Sequence, residues 1–566
     1  LIHSYLEKKR MSILIQGLVF YILLEIVTPF QLNIIHINDI HVRMEEIDSR
    51  GETCSASSSR CFGGLARVKY LADNMKRSLH NPLFLNGGDF YQGTNWYSFY
   101  KWKAVTHFSN QLGFDAMALG NHEFDDGNKG LKPFLEGAKF PIICANIDAS
   151  KDPILRNKFQ KSITINVGGK RIGIVGYVTL RTEYTSQPDD TLVFTEEVEA
   201  ITKEAKNLKG KGVDIIIALG HSGYDKDQEI ARKIPEIDVV VGGHSHSFLY
   251  HTNNGASQSG DYIEGDYPTM VRQPSGKQVP VVQAFAFTKY LGKLTVNFDI
   301  NNRVTSAYGN PVLLDQNVRE DVGMKSELKE WKKSITAFEK SVVGVASVDL
   351  IPSQSRESNL GNVVTDSMLY GLRSKYDVRL AIFNSGSLRS TINAGRVTQG
   401  DILKAIPYGN PNYIVKLSGR SLINIFELWV NGGRGFLQVS GFKVFIDKTR
   451  RGGFLVKVLS VSRHNPRMYC PLKKYKLYPV AIPSYIAGGG ERYSIIPKKE
   501  HGIKKDTQTD QELLANYFKA KSPISMSKRD GRILIHHFRS ASNEFRSNPY
   551  WKTLYDNWNN CAIYPS

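Results

Sequence analysis

Side chains that can bind a metal ion follow the ends of apolar segments at five places in this sequence. Each apolar run stops, and a histidine, an aspartate or an asparagine follows within a few residues. The candidate ligands are Asp39, His41, Asp89, Asn121, His221, His244 and His246. This mixture of carboxylate, amide and imidazole donors suits divalent ions such as Zn²⁺, Mn²⁺ and Fe²⁺. One tetrahedral zinc uses fewer donors, so we expect two ions about 3.5–4 Å apart that share Asp89, an arrangement that serves phosphoryl displacement.

The repetition of the pattern, rather than any single histidine, supports this prediction. One Asp-x-His pair or one lone histidine is weak evidence, because surface loops and hydrogen-bonded core histidines look the same in sequence. His36, His107 and His251 have no such context, and His36, inside the first strand-like segment, is expected to be a core residue.

His122 and Asp125 are expected to act beside the metal ligands rather than among them. His122 directly follows the candidate ligand Asn121, so its ring should point elsewhere. Asp125 lies three residues further along, where it can orient the imidazole. A positioned, protonated histidine stabilises negative charge on a phosphoryl group or on a leaving oxygen.

Apolar, β-rich runs alternate with amphipathic stretches over residues 32–300, a pattern that predicts a layered α/β domain. Ligands of open α/β sheets bind beyond the carboxyl ends of the strands, so the five loops should converge. Residues 319–340 predict one helix, because apolar side chains from Leu328 to Phe338 recur at helical spacing. A second α/β region follows, and residues 546–566 have the composition of a polar tail.

The segment MSILIQGLVFYILLEIVTPF, residues 11–30, predicts a secretory signal peptide. Glu25 interrupts it, so the apolar stretch is shorter than the ~20 residues of a spanning helix, and an uncleaved anchor is the alternative. The C-terminal sequence DNWNNCAIYPS has no hydrophobic lipid-anchor signal. We therefore expect a secreted, extracellular protein without a membrane anchor.

The five cysteines predict a limited use of disulfide bonds. Cys54 and Cys61, seven residues apart in a serine-rich loop, can close a small ring in an oxidising compartment. Cys144 ends an apolar run and is expected to be a buried thiol. A pairing of Cys470 with Cys561 stays open.

The composition, with 41% hydrophobic and 22% charged residues among 566, is that of ordinary globular domains. It excludes a wholly disordered chain, a collagen and a small disulfide scaffold. The net charge of +19 arises largely between residues 447 and 540, where 20 Lys and Arg face 7 Asp and Glu. Such a basic surface can contact nucleic acid, anionic membranes, glycosaminoglycans or polyanionic small substrates, and charge alone does not choose among them.

The metal-type motifs resemble those of the dimetal calcineurin-type phosphoesterases. They read Asp39-x-His41, Gly87-Gly88-Asp89, Gly120-Asn121-His122-Glu123, Gly220-His221 and Gly243-His244-x-His246. The strings GNHEFDDG, FYQGT, VVQAFAFTKYLG and GFLQVSG narrow the resemblance to the 5′-nucleotidase/apyrase family, from about residue 32 to 540. The missing anchor signal makes the chain most similar to secreted salivary apyrases of blood-feeding arthropods.

The resemblance implies an α/β fold of two domains. It places a four-layer α/β/β/α metallophosphoesterase domain at residues 31–318, a linker helix at 319–340 and a C-terminal α/β nucleotide-binding domain at 341–545. It also implies a role for each candidate residue. The first metal ion would be held by Asp39, His41 and Asp89. The second would be held by Asp89, Asn121, His221 and His244.

The resemblance further implies the catalytic and nucleotide contacts. His246 occupies a position where relatives commonly carry Asn or Gln near the first ion. His122 and Asp125 match the catalytic dyad. Tyr408 and Tyr485 would sandwich the purine, where relatives often have Phe. The remaining substrate contacts would be Arg356, Asn384, Arg389 and Glu491, of which Glu491 replaces a usual Asp at the ribose.

The function implied by the resemblance is that of a secreted apyrase. It would hydrolyse extracellular ATP and ADP to AMP and phosphate, and so limit ADP-driven platelet aggregation. Two divalent ions are expected, with zinc in the site and calcium, magnesium or manganese supporting activity, in a monomeric protein. The alternatives are a secreted 5′-nucleotidase acting on AMP, a non-catalytic nucleotide- or receptor-binding protein, and a polyanion contact through the basic second domain.

Overall fold

The computed structural model describes residues 30–54, 60–252, 259–431, 435–448, 455–462, 465, 468–490, 493, 502–526, 530–536 and 562–563. The predicted signal peptide lies outside the described residues except for Phe30, and so does the predicted tail except for residues 562–563. Within the described part of the chain, every helix is too short or too polar to cross a membrane.

Strands and helices alternate through the first part of the chain, as the sequence predicts. The strands, labelled β1 to β15, are Phe30–Ile37, Pro82–Asn86, Ala116–Ala118, Ile142–Ile143, Ile147–Asp148, Ser162–Val167, Lys170–Val178, Val193–Phe194, Ile215–His221, Val239–Val241, Thr269–Arg272, Gln278–Val282, Tyr290–Phe298, Val304–Gly309 and Val312–Leu313. The helices, labelled α1 to α8, are Leu65–Ser78, Asn95–Tyr100, Trp102–Leu112, Gly127–Gly137, Thr182–Thr185, Glu197–Gly210, Tyr224–Lys233 and Val322–Glu339.

Two sheets face each other in the first domain. One has the order β14-β13-β1-β2-β3-β4, with β15 also paired to β13, and the other has the order β11-β12-β10-β9-β7-β6. Alternate residues of a strand point to opposite faces. Leu32 and Ile34 of β1 accordingly pack in one core with Ile217 of β9, between the sheets. Ile35 points the other way and packs in a separate core with Phe108 of α3.

The second sheet is covered on its outer face by helices α6 and α7. Ile201 of α6 and Ile230 of α7 are fully buried in a cluster with Val175 of β7 and Ile216 of β9. Helix, sheet, sheet and helix therefore form four layers. This confirms the α/β/β/α architecture that the resemblance implied.

Helix α8 packs on the first domain. Its N-cap Asp321 accepts a hydrogen bond of 2.8 Å from the backbone N of Met324. Leu328 is buried, and the ring of Trp331 lies 4.7 Å from that of Tyr100, centroid to centroid. The domain limits at residues 318 and 341 stay a prediction.

The second domain is also α/β. Its strands, labelled β16 to β27, are Val342–Ala346, Leu380–Asn384, Gly395–Thr398, Pro411–Ser418, Leu437–Ser440, Phe442–Asp447, Leu455–Val461, Met468–Pro471, Leu477–Pro483, Lys504–Thr509, Ile533–His536 and Ala562–Ile563. Its helices, α9 to α13, are Asn359–Tyr376, Gln399–Ala405, Gly419–Val430, Ser484–Ala487 and Asp510–Lys521. The two larger sheets have the orders β20-β17-β24-β19-β25 and β26-β21-β22-β23-β27.

The structure confirms the predictions for Cys54, Cys61 and Cys144. Cys54 and Cys61 form a disulfide bond. Cys144 is buried and free. The open question of a Cys470–Cys561 pair concerns residue 561, which lies outside the described residues.

Candidate active site

The five predicted loops meet where the two sheets face each other. The parallel neighbours β1, β2 and β3 end at one edge of the first sheet, and the parallel neighbours β9 and β10 end at the facing edge of the second. His221 Nε2 lies 2.8 Å from Asp89 Oδ2. His246 Nε2 lies 3.1 Å from His41 Nε2 and 3.1 Å from Asp39 Oδ1. Each of these contacts joins the two sheets.

Among the described residues, three overlapping groups have donor atoms within 4.8 Å of one another. The groups are Asp39, His41 and His246; His41, Asp89 and His122; and Asp89, His221 and His244. Asp89 belongs to two of them, which fits its predicted role as the shared ligand. His246 lies with the ligands predicted for the first ion.

Asn121 completes the predicted set. The backbone N of its neighbour His122 donates to Asp89 Oδ1 over 2.9 Å, which places Asn121 beside Asp89. The Asn121 Oδ1 atom is buried and has no hydrogen-bond partner among the described residues. A buried acceptor without a partner is costly, and a cation at that oxygen removes the cost. The donors therefore fit a pair of divalent ions.

The backbone of the cluster is strained. Asp39, His41, Asp89, His244 and His246 all have positive φ angles, between 47° and 78°. Residues other than glycine rarely adopt this region, and those that do concentrate at functional sites. Five of the seven predicted ligands share this conformation, which turns each loop sharply after its strand.

The charges in the cluster favour ionised carboxylates and at least one neutral imidazole. Burial raises the pKa of Asp39 and Asp89, but the neighbouring histidines more than offset it, and both carboxyls have a pKa below their ordinary value. Burial, together with the charge of His221, lowers the pKa of His244 to about 4. Deprotonated donors of both kinds are the forms that bind a metal ion.

His122 and Asp125 form the expected pair. His122 Nδ1 lies 2.7 Å from Asp125 Oδ2, and Asp125 is only 5% exposed. Burial lowers the pKa of His122, whereas the charges of Asp125 and Asp89 raise it, and the balance raises the pKa to about 10. The carboxylates around His122 therefore favour its protonated form, next to the metal-type donors.

The two predicted purine-stacking tyrosines lie on surfaces that touch the first domain. Tyr408 and Tyr485 are 50% and 48% exposed. Next to Tyr408, Gly409 O accepts a hydrogen bond of 3.3 Å from Gln92 Nε2, three residues after Asp89. After Tyr485, Gly488 O accepts one of 3.2 Å from the side chain of Arg181. The two loops that carry the predicted stacking tyrosines thus contact the first domain.

The four predicted polar contacts to the nucleotide have few interactions that would test their roles. Asn384 ends β17, where its Nδ2 donates to Ser387 Oγ over 2.8 Å. Arg356 and Arg389 are exposed, and neither forms an ion pair with another described residue. Glu491 lies outside the described residues. All four residues keep their roles as predictions.

Two protein-family models match different parts of this chain. Residues 32–248 match the calcineurin-like phosphoesterases, and residues 342–498 match the C-terminal domain of 5′-nucleotidases. The 5′-nucleotidase of Mus musculus is 38% identical over 529 residues, covering 89% of this chain and 91% of the relative. The chain belongs to the 5′-nucleotidase family.

Two further members show the same extent of similarity. The snake venom 5′-nucleotidase of Naja atra is 39% identical over 530 residues, covering 89% of this chain and 99% of the relative. The crystal structure of a 5′-nucleotidase precursor from Thermus thermophilus matches with a TM-score of 0.64 and 34% identity, covering 90% of this chain and all of that one. This 5′-nucleotidase-family chain is therefore a phosphoesterase, and its first domain is of the type that uses two metal ions.

Sequence reasoning missed the role of Glu123 in this phosphoesterase. Its buried carboxylate accepts hydrogen bonds from the backbone N of Asp89, Phe90 and Tyr91, at 3.0, 2.8 and 3.1 Å, and from Gly120 N at 2.6 Å. One side chain thus fixes the loops after β2 and β3 to each other. The string GNHEFD carries a signal for this role. Tight loops leave backbone N–H groups that need acceptors, and a carboxylate among the candidate ligands can accept their hydrogen bonds.

Gly120 shows how closely these two loops approach. A Cβ atom at this position would lie 2.1 Å from Asp89 Oδ1. A larger residue would therefore displace the predicted shared ligand.

Arg43 is a second residue that the sequence did not single out. Its guanidinium donates from Nη1 to His41 O over 3.0 Å and lies 4.4 Å from the ring centre of Phe287. Burial lowers the pKa of Arg43 to about 10, while the charges of Glu52 and Tyr408 oppose the shift. Arg43 therefore lies near both the metal-type loop of His41 and Tyr408.

Proposed function

We propose that this chain hydrolyses the phosphate esters and anhydrides of nucleotides and releases inorganic phosphate. The supporting observation is a direct contact between two different surfaces. The first domain offers a cluster of metal-type donors around Asp89, and the second offers exposed aromatic and basic side chains. The Gln92–Gly409 hydrogen bond of 3.3 Å holds them together.

The donor cluster, the dyad and the arginines would have different roles in this reaction. The donors around Asp89 would hold two divalent ions, which supply charge neutralisation at the phosphoryl oxygens and activation of water when bound. His122, held by Asp125, carries a proton toward the phosphoryl group or the leaving oxygen. Water adds to phosphorus, the bond to the leaving oxygen breaks, and that oxygen ends protonated or paired with a cation. Arg356 and Arg389 would bind phosphate oxygens.

ATP and ADP are the proposed preferred substrates. The excess positive charge favours more highly charged nucleotides through long-range attraction. Tyr408 and Tyr485, where relatives often have phenylalanine, are also departures from the AMP-cleaving pattern. Hydrolysis of extracellular ADP would limit platelet aggregation. The proposal includes secretion, because residues 11–30 predict a secretory signal peptide.

AMP is the second candidate substrate. The relatives at 38–39% identity are named 5′-nucleotidases. The contact of Gln92 with Gly409 also places the Tyr408 loop directly against the metal-site loops, which suits a nucleotide with one phosphate. A non-catalytic binding protein is disfavoured, because it has no need of the strained and buried donor cluster.

Phosphate release from ATP, ADP and AMP, measured under one metal condition, tests the proposal. We expect kcat/KM for ATP and ADP to exceed that for AMP. An AMP value equal to or above the ADP value would move the assignment to AMP hydrolysis. Absence of release from all three nucleotides would remove the proposed function altogether.

A polyanion contact is a further proposed property of the second domain. Lys473, Lys474 and Lys476 are exposed beside Tyr475 and Leu477, whose exposed fractions are 80% and 54%. None of these three lysines forms an ion pair with another described residue. A cluster of unpaired cations attracts a polyanion by long-range electrostatics.

A further inference from the structure

The carboxylate of Asp125 has a second partner besides His122. Ser186 Oγ donates to Asp125 Oδ1 over 2.5 Å, while Oδ2 of the same carboxylate faces His122 Nδ1 at 2.7 Å. Ser186 is 1% exposed. Both oxygens of the carboxylate are therefore engaged, one by the imidazole and one by a buried hydroxyl.

Ser186 is in turn held by the second domain. Tyr413, in β19 of that domain, donates from its hydroxyl to Ser186 O over 2.5 Å. Tyr413 is 1% exposed, so this bond lies in the buried part of the domain interface. A chain of three hydrogen bonds thus runs from Tyr413 through Ser186 and Asp125 to His122.

The segment around Ser186 is fixed at further points on both domains. Within the first domain, Gln187 N donates to Phe124 O over 3.2 Å, next to the dyad. From the second domain, Lys505 Nζ donates to Glu183 O over 2.8 Å. Lys505 and Tyr413 are register partners of the adjacent strands β25 and β19, so neighbouring positions of that sheet contact the segment at Glu183 and at Ser186.

We propose that Ser186 is a positioning residue for the His122–Asp125 dyad, and that Tyr413 of the second domain holds Ser186 in place. The dyad then has its working orientation only when the domains are docked as in this structure. This inference rests on the proposed function, since it assigns a control to the same site. The hydrogen bond from Tyr413 to Ser186 also connects the two domains independently of the residues predicted to bind the nucleotide.

Removal of the Ser186 hydroxyl should act on kcat more than on KM. Asp125 would lose the partner that fixes its plane, and His122 would sample orientations away from the reacting phosphate. Displacements of this kind change rates strongly while binding contacts remain. We expect Ser186→Ala to lower kcat by about tenfold with KM changed less than about twofold.

Four variants test the inference on hydrolysis of ADP and of a simple aryl phosphate, which needs no purine site. Ser186→Thr keeps a hydroxyl and should recover most of the kcat that Ser186→Ala loses. Tyr413→Phe removes only the hydroxyl that holds Ser186 and should lower kcat a few-fold. Thr185→Ala is the matched control, because the Thr185 hydroxyl bonds Arg181 O within the same segment, and it should retain full kcat.

Two results distinguish positioning from a structural effect. The Ser186→Ala loss should vanish when Asp125 is already Asn, since groups that act as one unit are not additive. In metal-free protein labelled with ¹⁵N-histidine, Ser186→Ala should shift the ring signals of His122, assigned by their loss in His122→Ala. Thermal midpoints of the variants should stay near that of the original protein.

Unchanged kcat in Ser186→Ala, or an additive loss in the Asp125→Asn background, would overturn the inference. The proposed nucleotide specificity fails separately, through poor hydrolysis of ADP by the original protein. The Ser186 effect remains measurable in that case on the aryl phosphate.

Discussion

Asp125 Oδ2 and His122 Nδ1 lie 2.7 Å apart beside the metal-type donors. His122→Ala should lower turnover by roughly 10²- to 10⁴-fold, because a positioned proton donor contributes on that scale. Metal content should stay near that of the original protein. Activity assays together with metal analysis of the same preparation measure both quantities.

The structure makes this test of His122 informative. The donor atoms of His122, His41 and Asp89 lie within 4.8 Å of one another, which is close enough for His122 to be a ligand. If the variant loses one metal ion together with its activity, His122 is a ligand and the dyad assignment is wrong.

The aromatic pair of the second domain gives the next prediction. Tyr408→Ala and Tyr485→Ala should each weaken nucleotide binding by about 1–3 kcal/mol, the scale of base stacking on an aromatic side chain. Both tyrosines are about half exposed, so truncation should leave the fold intact. Inhibition constants for a non-hydrolysable nucleotide measure the effect. Aryl phosphate hydrolysis should be spared, and equal damage to both substrates would exclude stacking.

At the residue scale, the sequence predicts donor identity better than donor geometry. The types and positions of Asp39, His41 and Asp89 were readable because metal chemistry restricts the choice of ligand. The hydroxyl of Ser186 carries no such restriction, and serine is common in loops. Its bond to Asp125 depends on tertiary placement, so no local pattern in the sequence predicts it.

The loops after β2 and β3 act as one element because Glu123 joins them. Glu123→Gln should lower the free energy of unfolding by about 1–3 kcal/mol, because an amide nitrogen would face backbone donors that now bond a carboxylate. It should also weaken metal binding, since Asp89 N is one of these donors. Denaturant unfolding and metal titration measure the two effects.

Glu136→Gln is the control for this substitution. Glu136 is an exposed residue of α4 that pairs with Lys158, and exposed ion pairs contribute little to stability. The control should therefore unfold as the original protein does. Equal stability of Glu123→Gln and Glu136→Gln would contradict the proposed role of Glu123.

At the element scale, the sequence predicts where strands end but not which strands pair with each other. The apolar residues of β1 and β9 marked where Asp39 and His221 would emerge, because both strands are almost wholly buried and are rich in isoleucine and leucine. The division of these strands between two facing sheets depends on long-range pairing. The family resemblance, rather than the period of the sequence, supplied the four layers.

For the whole molecule, the basic surface of the second domain can be tested by charge reversal. The combined change of Lys473, Lys474 and Lys476 to Glu should lower the salt concentration that elutes the protein from a sulfated polysaccharide column. Clustered charges that face a polyanion contribute more to its binding than charges dispersed over the surface. Salt screens this attraction over ~8–10 Å. The elution position is the measurement.

The same change at Lys329, Lys332 and Lys333 of α8 supplies the control, since it alters the net charge equally on another surface. Two of these lysines already pair with Glu45 and Glu330. The control should move the elution position less. Equal shifts would show that only net charge matters and that the second domain has no specific polyanion surface.

The domain arrangement was the part of the molecule least accessible from sequence. The resemblance implied two domains joined by a helix, but the contacts that dock them are single side-chain bonds. Tyr413 to Ser186 and Lys505 to Glu183 are bonds to backbone oxygens, which any residue offers. A sequence pattern therefore carries no signal for such partners.

Metal-dependent release of phosphate from nucleotides tests the central claim most directly. The protein should be stripped with a chelator, shown to hold no divalent ion, and assayed with ADP before and after stepwise addition of zinc or manganese. We predict no release from the stripped protein and recovery that is complete at two ions per chain. Full activity in the stripped protein, or full recovery at one ion per chain, would contradict the two-ion site around Asp89.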